Sequence, residues 1–159
     1  MKSRLILAAA MAVAASATAI PALTSAQPSG RTITVHEKVT GLKFVHHDKA
    51  TKGDKLAMGD AVVTRQSMKD DDGRALGTLF TDCTNVGAKA PVFKAKLECL
   101  MTYKFSDGEV TAAGVATLSD PNVSFPIVGG SSAYTGASGT VTPGKPGKGD
   151  DSVDVLHIS

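Results

Sequence analysis

The sequence predicts an all-β chain: short antiparallel strands that either stack as a sandwich or curl into a closed barrel. Three observations lead there. Seven to nine short apolar or alternating segments recur, with turn residues between them. No helical period of useful length occurs beyond the first 26 residues. The run from Ile127 to Val141 (IVGGSSAYTGASGTV) sets paired glycines after a short apolar strand, then Tyr134, then Gly136, Ala137 and Gly139 before a β-branched strand resumes. Glycines clustered this way mark a tight corner where backbone meets backbone. The lone aromatic covers the space they leave. Such a corner favours a curled sheet over a flat one.

The elements follow in order. Residues 1–26 have the layout of a secretory signal peptide: Lys2 and Arg4, an apolar stretch from Leu5 to Ile20, then small residues at Thr24-Ser25-Ala26. The stretch is short for a membrane span, and none follows that is longer, so no membrane partner is expected after its removal. Residues 27–159 then form a single domain, secreted to an extracellular setting. Of the 17 Lys+Arg, two lie in the leader, which leaves 15 against 15 Asp+Glu. With no basic patch and no Trp, a nucleic-acid partner is not expected.

From Thr32 the chain alternates, with Ile33, Val35, Glu37 and Val39 on one face and Thr32, Thr34, His36 and Lys38 on the other. Gly41 is read as its end, and Leu42 to Val45 as a short second strand. His46 to Asp60 is a polar connection. Its His46-His47-Asp48 run is read as exposed loop, and no metal or other cofactor is expected. Ala61 to Met68 is a strand, and Lys69 to Gly73 (KDDDG) is its hairpin turn. Ala75 to Cys83 follows, then a turn from Asn85 to Pro91. Lys94 to Phe105 is the clearest strand: Ala95, Leu97, Cys99, Met101, Tyr103 and Phe105 share one face, and five of the six opposite residues are polar. Val110 to Leu118, Ser124 to Val128, Gly139 to Thr142 and Val153 to Ile158 complete the set. A solvated Gly/Pro/Lys loop spans Pro143 to Asp150.

In an exported chain Cys83 and Cys99 are expected to form one disulfide, against the alternatives of a free thiol or a metal pair. Glu37 is the sharpest chemical candidate, because its phase sets it among apolar neighbours that raise a carboxyl pKa and suit it to acid–base work. The plainer reading pairs it with Arg65, in phase with Ala61 and Val63, or leaves it wet near a mouth. Val35, Leu97, Met101, Tyr103 and Phe105 line either a ligand cavity or a plain core.

The corner motif, with Ile33 to Thr40 (ITVHEKVT), Gly59-Asp60, Asp72-Gly73-Arg74, Gly77 and Thr102 to Gly108 (TYKFSDG), resembles the allene oxide cyclases and the related dirigent proteins. The resemblance implies an eight-stranded antiparallel barrel with an apolar cavity, often a homo-oligomer. Carried over by residue, Glu37 and Cys83 fall at the family's Glu and Cys positions, whereas Val39 and Ala116 stand where the family has Asn and Tyr. Two polar partners are therefore missing, which argues against cyclisation of an allene oxide fatty acid. The resemblance implies a barrel that holds a small apolar molecule, as an isomerase or cyclase or a dirigent-like guide of ring closure. The alternatives are a non-catalytic carrier, or a structural or interaction protein whose barrel is filled by its own side chains.

Overall fold

A computed structural model describes residues 30–47, 51–144 and 151–159. The expected leader, Asp48 and most of the Gly/Pro/Lys loop lie outside them. The strands are β1 (Arg31–Val45), β2 (Lys55–Leu56), β3 (Ala61–Lys69), β4 (Ala75–Asn85), β5 (Ala90–Pro91), β6 (Lys96–Phe105), β7 (Gly108–Thr117), β8 (Phe125–Ser132), β9 (Gly139–Pro143) and β10 (Asp151–Ile158). Eight of them close into an antiparallel barrel in the order β1-β10-β9-β8-β7-β6-β4-β3, and β2 and β5 form a separate ribbon. Closure resolves the choice between barrel and sandwich and leaves the main sheet without edges.

Gly41 does not end the first strand. β1 runs on for 15 residues through a bulge: Val39 pairs with Gln66 and Gly41 with Arg65, leaving Thr40 as the extra residue. A bulge bends the strand without stopping it. Below it β1 pairs with both β10 and β3; beyond Lys38 its register with β10 ends and only β3 accompanies it.

Period-two burial fills the interior. Ile33, Val35, Met68, Leu79, Tyr103, Phe105, Val110, Val141, Leu156 and Ile158 all point inward and are buried. At one end the glycine corner closes over them. Tyr134 is buried against Phe105, with ring centroids 5.4 Å apart. A Cβ on Gly130 would sit 2.4 Å from the Tyr134 carbonyl oxygen, so only glycine lets the chain cross there.

The other end is held by two buried polar side chains. Asp60 accepts from the His47 and Ala57 N–H groups at 2.8 and 2.9 Å and contacts His46 Nδ1 at 3.0 Å. These partners, the His47 N–H foremost, hold its carboxyl down at about 2. His46 is therefore not an exposed loop residue: it stacks on Phe44 and packs against Asp60. The Asn85 amide donates to the Leu56 carbonyl at 2.9 Å and the Ala88 carbonyl at 3.2 Å. Cys83 and Cys99, directly opposite on β4 and β6, form the expected disulfide with Cα atoms 4.0 Å apart, and neither thiol is free.

Candidate functional site

Glu37 points inward, as its phase predicts, and is 4% exposed. Its expected partner is not Arg65. The inward face of β3 is Val62, Thr64, Gln66 and Met68; Arg65 is exposed, its guanidinium 5.8 Å from the centre of the Phe80 ring. The error lay in phasing β3 on Ala61 and Val63, where alternation among apolar residues on both faces is ambiguous.

A carboxyl meets Glu37 instead. β1 and β10 pair Glu37 with Ser152 and Val35 with Asp154, so Glu37 and Asp154 are diagonal neighbours on the inner surface. Asp154 is buried, and its Oδ2 accepts the Tyr103 hydroxyl at 2.5 Å. β6 and β10 lie four strands apart whichever way the barrel is traversed, so this bond crosses the lumen from wall to wall. Glu37 Oε2 accepts from Ser152 Oγ at 3.1 Å and from the Gln66 amide at 3.3 Å. Glu37 Oε1 is buried with no partner of this kind.

The electrostatics follow from that crowding. Burial, then the charge of Asp154 and a hydrogen bond to it, push Glu37 up to about 9. Burial also raises Asp154, opposed by hydrogen bonds from Tyr103, Glu37 and the Gly144 N–H. Burial, then the nearby carboxyls, raise Tyr103. Near neutral pH Tyr103 therefore keeps its proton and donates it to Asp154, and Glu37 keeps its own acid proton. Such a group can deliver a proton to a neutral guest at a pH where an ordinary carboxyl is ionised.

Two environments meet at this cluster. On the corner side the inward residues are buried and apolar. On the other side Thr64, Gln66, Thr81 and Ser152 face inward yet keep contact with solvent. Farther along that side Val62, Cys83 and Leu97 are buried again. Glu37 thus lies between the buried apolar residues of the corner side and this partly exposed polar stretch, the upper lumen.

The other lining candidates divide along the same boundary. Val35 sits opposite Asp154, Tyr103 joins the polar cluster, and Phe105 packs into the corner. Leu97 and Met101 flank Cys99 on the inner face of β6. All five are buried. Asp154, Ser152 and Gln66 were not singled out from the sequence. Asp154 carried the same signal as Glu37, a carboxylate in phase with apolar Leu156 and Ile158. Among the described residues, no group of three His, Cys, Asp or Glu side chains is placed to hold a metal ion.

Residues 40–149 match the family model described as "Allene oxide cyclase barrel like domain". No curated protein matches the chain. Among solved structures, a pyocyanin demethylase aligns with TM-score 0.67 and 18% identity, over 81% of this chain and 100% of that one. A pterocarpan synthase dirigent protein aligns with TM-score 0.61 and 18% identity, over 83% and 94%. An exo-specific intermolecular Diels-Alderase aligns with TM-score 0.62 and 14% identity, over 82% and 98%. At these identities the likeness is one of fold.

Proposed function

The chain belongs to the allene oxide cyclase barrel like family, and on that premise we propose that it binds a small, largely apolar molecule in the upper lumen and guides it through ring closure, with Glu37 as the proton donor. The observation that carries this reading is the buried carboxyl pair. Two carboxyls side by side in an apolar lumen cost folding free energy, and nothing in packing alone requires them. Groups held against such a cost concentrate at functional sites. Tyr103 and Asp154 fix the floor, Ser152 and Gln66 orient Glu37 at the rim, and the barrel wall limits the conformations open to a flexible guest. The similar folds include a dirigent protein and a Diels-Alderase by name, which supports ring closure as the class of work. The absent Asn and Tyr equivalents at Val39 and Ala116 set the chemistry apart from that of the allene oxide cyclases. We place the mature chain outside the cell, where a disulfide such as Cys83–Cys99 persists.

The Tyr103–Asp154 bond across the lumen favours a second reading, a carrier or structural barrel, because it fills the lower half without a guest. A screen of exported lipids and polyketides, read as a rise in melting temperature, separates the two readings. A ligand found this way is then assayed for ring closure. Glu37→Gln is expected to lower turnover about 10²–10⁴-fold while binding persists. Unchanged turnover in the variant removes Glu37 from the mechanism, and the absence of any turnover leaves the carrier.

A further inference from the structure

The charge that faces the lumen selects among guests. Every charged side chain that the described strands turn into the barrel is a carboxyl: Glu37 and Asp154. Arg65, the one cation whose sequence phase pointed inward, lies outside over Phe80. The rim above the pair is uncharged, made of the Thr64 and Thr81 hydroxyls, the Gln66 amide and the Ser152 hydroxyl.

We infer that the guest is a neutral molecule bearing a hydroxyl or carbonyl, and that this barrel discriminates against a carboxylate of the same size and shape. The inference rests on the lumen being the binding site, as proposed above. A guest carboxylate seated beside the pair would crowd a third acidic group against Glu37 and Asp154. It would also lose its hydration with no inward cation among the described residues to receive it. A ketone or alcohol avoids both costs. Its oxygen can accept from the Gln66 amide or a rim hydroxyl, and a hydroxyl can donate to the carboxyl oxygens. A fatty-acid guest that binds by its acid head is thereby disfavoured, independently of whether any reaction follows.

Two isosteric probe pairs test this on the full mature chain: 2-acetylnaphthalene against 2-naphthoate, and 1-decanol against decanoate. Binding is read by titration calorimetry above the pH at which both acids ionise. The neutral member of each pair is expected to bind at least about tenfold more tightly, since each tenfold step needs only about 1.4 kcal/mol of charge repulsion and lost hydration. Lowering the pH until the acids are protonated should close that gap. In a Glu37→Gln/Asp154→Asn variant the preference should shrink towards parity, and the wild-type comparison stands by itself if that variant does not fold. Equal or tighter binding of the carboxylates overturns the inference and leaves the lumen as the site. Failure of all four probes to bind overturns the lumen site and the inference with it.

Discussion

The two ends of this lumen are built on opposite principles. At the corner, Tyr134, Phe105 and the surrounding glycines fit because nothing else would: a single added carbon at Gly130 or Gly108 meets backbone at 2.4 or 2.3 Å. At the centre, Glu37, Asp154 and Tyr103 fit through a shared proton and a bond across the barrel, an arrangement whose burial cost apolar side chains of equal volume do not carry. The corner specifies the fold, and the centre is tolerated by it. Stability should therefore be lost by disturbing the corner and gained, at the right pH, by neutralising the centre.

The largest effect is expected from Tyr134→Ala. The ring is buried against Phe105, and removing it leaves a void lined by glycine backbone that cannot move in to fill it. Loss of a buried aromatic side chain costs about 3–5 kcal/mol, measurable by urea titration. A loss below about 1 kcal/mol would break the contrast, because the corner would then hold by its backbone alone.

The disulfide comes next. It bridges β4 and β6 on the inner wall and closes a loop over a sequence separation of 16 residues. By the chain-entropy estimate, replacing both cysteines with alanine should cost about 3 kcal/mol. If the two ends of the lumen fold as one unit, the variant still unfolds in a single transition. Separate transitions for corner and centre would show that the two ends are independently stable.

How legible each end was in the sequence follows from the same contrast. The corner announces itself locally: glycine spacing and one aromatic lie within fifteen residues, and the backbone geometry they impose is short-range. The strands were legible for a similar reason, since period two is a property of each segment alone. Gly41 misled because a glycine between two apolar segments fits a turn and a bulge equally well, and only the pairing with Gln66 and Arg65 distinguishes them. The centre was half visible. Glu37 stood out within its strand, but its neighbour lies 117 positions away and is set by the β1–β10 register, which no local pattern encodes. Gln66 was hidden by the same ambiguity of phase that turned Arg65 inward.

The centre makes its own prediction, in pH. Glu37 titrates at about 9 when folded against 4.5 as a free group, so between those values the folded chain keeps a proton that the unfolded chain releases. Stability contributed by that proton is complete below about 4.5, falls as pH rises through the window and levels off near 9. A full proton of difference gives a slope of about 1.4 kcal/mol per pH unit. Glu37→Gln should flatten the slope and leave the variant more stable than the parent towards the alkaline end of the window. A slope unchanged by the substitution would mean that the proton resides elsewhere.

Arg65 supplies the smallest effect and the sharpest control. If it neutralised Glu37 from within, removing it would strand a buried carboxylate and steepen the fall in stability with pH. From outside the barrel its contribution is an exposed cation over the Phe80 ring, about 0.5–1 kcal/mol. Arg65→Gln is therefore expected to lower stability by no more than that amount at every pH in the window, with the slope of the parent retained. A uniform small offset on one curve and a flattened curve for Glu37→Gln would together locate the charge of this lumen in its carboxyl pair. A pH-dependent loss in Arg65→Gln would return the arginine to the interior and take the neutral-guest argument with it.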